Sequence, residues 1–375
     1  MSFDDIIDRS PTYSMKWDKY QGTDILPMWV ADMEFRCAPP ILEAIEKRTR
    51  EGIFGYTKPD AQLGAVQAVC DWLVQQYDWH IQPEWLVWVP GVVPGFNLAC
   101  RAFSEANDKV IIQTPNYPPL LAAPAINQMQ AITVPTLESN GRWMIDFDQL
   151  RIEAANSRAK LIILCNPMNP VGTVWEQSEL DQLAQICQQH DLVLCSDEIH
   201  CDLILDEQAR HLPAGKHPQL VERSVTLMAA SKTFNVAGLG TAFAIIPDKQ
   251  LRQAFNRQAT GIMPWVTVLG QTATEAAFKY GGDWYQELLV YLRGNRDWLL
   301  SEINQIPGLR ALTPQATFLV WIDASGLGVE NPQAYFEAKG IGPSPGADFG
   351  NKQFVRINFG CPRAYLQQMI ERLKA

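Results

Sequence analysis

Lys232 stands where an apolar run gives out: in MAASKTFNVAGLG it follows VTLMA and sits among Ser231, Thr233, Asn235 and glycines. An amine at the end of a buried strand is partly desolvated, which lowers its basicity and suits it to act as a nucleophile or base. Taken alone, such a lysine is more often a loop residue with its charged tip in water. Two upstream loops alter that balance. CNPMNPVGT follows the run LIILC and presents Asn166 and Asn169, while SDEIHCD follows LVLC and presents Asp197, Glu198, His200 and Asp202. Each has an ordinary reading, as a turn or a helix cap. Three polar loops that each leave an apolar run can also converge on one crevice, and there an amine, a carboxylate and amides could work together.

The elements that would position these loops are short continuous apolar runs: WLVWV, VIIQT, AITVP, LIILC, LVLCS, VTLMA and TAFAII. Continuous runs suit strands covered on both faces, and SELDQLAQICQQH between two of them has helical spacing at Leu180, Leu183, Ile186 and Cys187. Strand, helix, strand in repetition predicts an α/β fold with a mostly parallel sheet, whose functional loops lie at the carboxyl ends of the strands. Upstream, Pro39-Pro40 opens a helix and residues 60–76 form another. Downstream, a long helix at 283–306, the runs ATFLVWID and FVRINFG, and the terminal helix CPRAYLQQMIERL predict a smaller α+β domain. The boundaries expected are 1–50 for an N-terminal segment contributing to the small domain and the site entrance, 51–280 for the large domain and 281–375 for the small one.

Composition removes other classes. A chain of 375 residues with 47% hydrophobic residues can bury a sizeable core, and 31 Lys plus Arg against 41 Asp plus Glu offer no broad basic surface for nucleic acid. No apolar run approaches the length of a membrane span and the start MSFDDIIDRS lacks signal-peptide features, so a cytoplasmic protein is expected. The eight cysteines read as free, partly buried thiols; Cys195, His200 and Cys201 only superficially suggest a metal cluster, and no metal is expected.

In order and separation, the asparagine loop, SDEI and SKTFN resemble the fold-type I pyridoxal-phosphate enzymes of the aminotransferase class I/II superfamily, over almost the whole chain. The resemblance implies pyridoxal 5'-phosphate as cofactor, with Lys232 as its Schiff-base lysine, Asp197 pairing with the ring nitrogen and Asn169 on the phenolic oxygen. By the same resemblance Tyr117 in QTPNYPP stacks on the ring, Val92 and Val93 in PGVVPGF offer backbone N–H groups to the phosphate, and Ser231 assists them. Arg356 in FVRINFG matches the arginine that holds the substrate carboxylate, a role its planar fork suits. Tyr56 in GYTKP normally reaches the phosphate across a two-fold interface and helps organise the incoming amine, which implies a homodimer with shared sites.

Three departures matter. His200 replaces a tyrosine that contacts the phenolic oxygen in many relatives, Gly240 stands where many have a phosphate-binding arginine, and Ala229 replaces a common serine. Together with LPMWVADMEF, FGYTKP and SDEIHCDL they are similar to the carbon–sulfur β-lyases of the PatB or MalY-like cystathionine β-lyase type. That branch implies β-elimination from an amino-acid thioether such as L-cystathionine, with Lys232 removing the Cα proton and Ala31 lining the substrate site through its backbone. Asp32 and Trp29 are expected to fix the loop or the core. An aminotransferase is the main alternative, and a non-enzymatic regulator on the same fold is a third.

Overall fold

The computed structural model describes residues 2–58 and 63–375. In chain order its strands are β1 (Leu26–Pro27), β2 (Leu86–Val89), β3 (Lys109–Thr114), β4 (Gln130–Ser139), β5 (Arg142–Ile145), β6 (Ala159–Cys165) and β7 (Val193–Asp197). They continue as β8 (Ser224–Met228), β9 (Ala242–Ile245), β10 (Arg310–Ala311), β11 (Leu319–Asp323), β12 (Ile341–Gly342), β13 (Ser344–Pro345) and β14 (Phe354–Asn358). Eight of these make one sheet in the order β2-β9-β8-β7-β6-β3-β4-β5. Pairing is parallel from β8 through β7, β6 and β3 to β4, and antiparallel at β2/β9, β9/β8 and β4/β5. The expected large, mostly parallel sheet is therefore present, and all seven apolar runs lie in it.

Its centre is dry. Leu161–Leu164 of β6, Leu194 and Cys195 of β7 and Val225 and Leu227 of β8 are fully buried, as continuous apolar runs require. Two-sided burial fails at β4, which alternates exposed and buried residues because it lies next to the sheet edge. The helices are built from local signals. Gln177–Gln189 opens with a capping box between Glu176 and Glu179, and Lys249–Ala259 with Asp248 accepting from Leu251 N. Pro39 and Pro40 start the helix Pro39–Arg50, which packs with Leu63–Tyr77 against Val268–Tyr280. The expected start of that second helix, residues 60–62, lies outside the described residues.

The chain's last third forms an antiparallel sheet, β10-β11-β14-β13, under the long helix Gly282–Ile303 and the terminal helix Arg363–Lys374. The N-terminal β1 pairs in parallel with β12 in this region. Among the described residues no helix is long and apolar enough to cross a membrane, and no group of three or more His, Cys, Asp and Glu could hold a metal ion. All eight cysteines are free thiols.

Candidate functional site

Parallel pairing makes Cys165, Asp197 and Leu227 neighbours across β6, β7 and β8, so the three polar loops leave the sheet side by side. They open on a cavity of about 300 Å³. Asn169 enters it from the loop after β6, Asp197 and His200 from β7 and the turn that follows, and Ser231 and Lys232 from the loop after β8. The asparagine loop turns at Gly172, whose φ of +71° favours glycine and where a Cβ would lie 2.3 Å from the Pro314 side chain. Tyr117 arrives from the loop after β3, and Val92 and Val93 begin the helix Val92–Phe103 at the same edge. The first bond of that helix is Gly95 N to Gly91 O, so the N–H groups of Val92 and Val93 have no acceptor within it.

Arg356 comes from β14 of the other sheet and closes the cavity. Its Nη1 donates to Asn169 Oδ1 at 3.0 Å and its Nη2 to Trp29 O at 2.7 Å and Ser344 Oγ at 3.1 Å, while its buried Nε has no partner among the described residues. The face of Phe349 lies 4.7 Å from the guanidinium carbon.

Burial sets the protonation balance. It pulls Lys232 from the usual lysine value to about 8, with Arg356 adding to the fall and Asp32 and Asp197 opposing it. It lifts Asp197 to about 7 against the single backbone donor Ile199 N and the charge of Lys232. Arg356 is lowered to about 10, and His200 far below the usual imidazole value by burial and then by the Lys232 and Arg356 charges. His200 is thus a neutral ring, and its buried Nδ1 has no partner among the described residues.

Not every expected residue arrives. The SDEIHCD run divides, because Glu198 and Asp202 point away from the cavity and serve packing. Asn166 also stays outside, with Nδ2 on Leu212 O at 3.1 Å. Tyr56 does not line the cavity of its own chain; its side chain is 99% exposed, edge-on to Trp265 at 6.2 Å. Gly240 has φ +57°, a left-handed conformation that disfavours any arginine there. Lys232 and Arg356 are consequently the cations of the lining.

The fourth wall is Trp29, Val30 and Ala31, within the segment 28–35. Ala31 presents its carbonyl, which accepts from Lys232 Nζ at 2.5 Å. Trp29 lines the cavity as well as fixing the loop: its indole donates to Lys16 O at 3.0 Å. Asp32 fixes the same segment through its carbonyl, an acceptor for Asn358 Nδ2 at 2.6 Å. Met15, Val30, Ile199 and Cys165 also line it; Val30, Ile199 and Cys165 lie inside LPMWVADM, SDEIHCD and CNPMNPVGT, whereas Met15 carries no signal of that role in the sequence.

The model of the aminotransferase class I and II family matches residues 24–373. Cystathionine beta-lyase PatB of Bacillus subtilis is 37% identical over 100% of this chain and 99% of its own length. The crystal structure of OvoB superposes with a TM-score of 0.96 at 44% identity, covering 100% of this chain and 98% of that one. Cystalysin from Treponema denticola, whose structure contains pyridoxal 5'-phosphate, gives 0.94 at 33% identity, with 99% and 97% covered.

Proposed function

Because the chain belongs to the aminotransferase class I and II family, we propose that it is a pyridoxal 5'-phosphate-dependent carbon–sulfur β-lyase, cleaving L-cystathionine or a related cysteine S-conjugate to a thiol, pyruvate and ammonia. One observation carries the reading: a lysine of lowered basicity, a buried carboxyl and a buried guanidinium open on one cavity in a chain that matches PatB from end to end.

The residues present fit the cofactor because several polar groups of the cavity lack partners. Asp197 is held near 7 by burial, a cost that a cationic ring nitrogen beside it would relieve. The N–H groups of Val92 and Val93 at a helix start, with Ser231, suit a phosphate, and they take the place of the arginine that Gly240 does not supply. Lys232 would hold the cofactor covalently, with Tyr117, Asn169 and His200 as its other contacts. When bound, the cofactor supplies an electron sink for the charge left on a substrate carbon that loses its proton.

The chain's own groups do the rest. Above about pH 8 the Lys232 amine is neutral and can take the Cα proton at Nζ. Arg356 holds the α-carboxylate and so sets which substrate bond faces that amine. Above about pH 7 Asp197 is anionic and would hold the cofactor's ring nitrogen in its cationic form. Met15, Trp29 and Val30 form an apolar wall that excludes water while the thiol departs from Cβ. The aminoacrylate that leaves hydrolyses to pyruvate and ammonia.

The proposal includes a cytoplasmic homodimer in which Tyr56 serves the second copy's site. The exposure of Tyr56 outside its own cavity supports supply in trans. It also takes residues 51–280 as the large cofactor-binding domain and 281–375, with the N-terminal segment 1–50, as the small one.

Cofactor-loaded protein incubated with L-cystathionine, without any ketoacid, should release homocysteine, pyruvate and ammonia in equal amounts by mass spectrometry. Amination of the bound cofactor without pyruvate would replace the lyase reading with transamination.

A further inference from the structure

One residue joins Arg356 to the apolar side of the cavity. The Trp29 carbonyl accepts from Arg356 Nη2 at 2.7 Å, and the Trp29 indole donates to Lys16 O at 3.0 Å. Trp29 thus runs from the guanidinium to the short helix Met15–Asp18, whose first residue, Met15, lines the same cavity. On this side the lining is Met15, Trp29, Val30 and Ala31 and carries no charge. The charged side chains among the described lining residues are Lys232, Arg356 and Asp197.

Met15 combines a free side chain with a pinned backbone. Its side chain is 66% exposed, yet both neighbours, Ser14 and Lys16, are buried. Lys16 Nζ lies 2.8 Å from Glu34 Oε1, and buried Glu34 also accepts from the Trp17 indole at 3.1 Å and Arg9 Nη1 at 3.4 Å. Ser14 Oγ accepts from Arg9 Nη2 at 3.3 Å. The wall beside it is fixed as firmly: Val30 O and Asp32 O accept from Asn358 Nδ2 at 2.6 Å each, and Met33 O and Phe35 O from Asn235 Nδ2 at 2.9 and 2.7 Å. Removing one partner of a buried ion pair strands the other, so this turn is anchored and is no loose N-terminal tail. A long, adaptable apolar side chain therefore stands in the cavity with much of its surface in water, and only an apolar group laid against it would relieve that exposure.

We propose that Met15 is the specificity-determining residue for the substrate's S-substituent, and that it selects cysteine thioethers whose substituent is an apolar chain lying along Trp29 and Val30 and covering Met15. The assignment rests on the lyase reading of the site. With the α-carboxylate on Arg356, the Cα proton at Lys232 and Asp197 committed to the cofactor, all three charged groups of the lining are in use. The second amino-acid head of L-cystathionine then meets no charged partner among the described lining residues, whereas an uncharged chain meets a matching wall. Met15 touches no reacting atom, so its contribution belongs to binding and grows with the length of the substituent.

Pyruvate release by the cofactor-loaded, full-length protein is compared for S-methyl-, S-ethyl- and S-butyl-L-cysteine and L-cystathionine. In wild type kcat/KM should rise about two- to fourfold per added methylene and be higher for the S-butyl substrate than for L-cystathionine. Met15→Ala and Met15→Gln should each lose about five- to tenfold on S-butyl-L-cysteine, in KM with kcat kept, and less than about twofold on S-methyl-L-cysteine and L-cystathionine. Met15→Leu should keep the wild-type order. Equal losses on the S-methyl and S-butyl substrates, or no loss on the latter in a variant with the wild-type melting profile, overturn the assignment, as does a wild-type preference for L-cystathionine. The lyase reading fails separately, if no thioether yields pyruvate. Met15 is then judged by calorimetric binding of L-norvaline, L-norleucine and L-2-aminooctanoate, in which a methylene replaces the sulfur and no thiol can leave. Affinity that rises with length in wild type and not in Met15→Ala sustains the assignment, and the same length dependence in both overturns it.

Discussion

Asp197 and Glu198 are adjacent residues, both buried, yet their surroundings differ completely. Glu198 faces away from the cavity and is saturated: Ser196 Oγ and Ala214 N donate to one oxygen at 2.7 and 2.8 Å, and His211 Nε2 lies 2.7 Å from the other. Asp202, on the same side, accepts from Trp72 Nε1 and Thr233 Oγ1 at 3.0 Å each and from the Tyr77 hydroxyl. Asp197 has one backbone donor at 3.3 Å, and His200 beside it leaves a ring nitrogen unpartnered. Within one six-residue stretch, the outward carboxylates are satisfied by protein and the inward one is left for something else to satisfy. That contrast separates a structural role from a functional one more sharply than residue type does.

Breaking the saturated side should have the largest effect on folding. Glu198→Ala strands Ser196, Ala214 and His211 and should cost about 3–5 kcal/mol in chemical denaturation, while the molecules that remain folded still bind cofactor by absorbance. The opposite behaviour is expected at Asp197. Its folded-state value of about 7 lies above the unfolded 3.8, so its ionisation penalty is absent below about pH 4, grows as pH rises and is complete above about pH 7. Asp197→Asn should therefore stabilise the cofactor-free protein at pH 8 by about 2–4 kcal/mol, while lowering turnover about 10²–10³-fold. A destabilised Asp197→Asn would erase the contrast. Smallest is Asp202→Asn, which keeps an acceptor and should cost about 1–3 kcal/mol. A greater loss of turnover there than at Asp197, measured per folded molecule, would reverse the roles assigned to the two sides.

The strand cores and the loops at their ends were legible because both follow from local pattern: an apolar run must be buried, and the loop that leaves its carboxyl end borders the crevice, whichever of its side chains turn inward. β5 does not stand out in the sequence, since RWMI is short and carries a charge, although Asn140-Gly141 before it is a strong hairpin signal and both residues have positive φ. The direction of Glu198 and Asp202 was not readable, because their partners, His211, Trp72 and Tyr77, come from other elements. The wall at 28–35 was recognisable as a motif but not as a structure. Asn235 and Asn358 look like ordinary loop and strand-end residues until the fold brings them to a backbone 200 and more positions away.

Those separations also order events during synthesis. The segment 28–35 leaves the ribosome early, but Asn235 follows it by about 200 residues and Asn358 by 328 after Val30. Until position 358 is clear of the exit tunnel, this wall lacks the amide that holds two of its carbonyls. The strands of the large sheet are all made by residue 245, whereas the pocket also needs β14, so a chain stopped between the two would hold the sheet's strands and lack both Arg356 and Asn358.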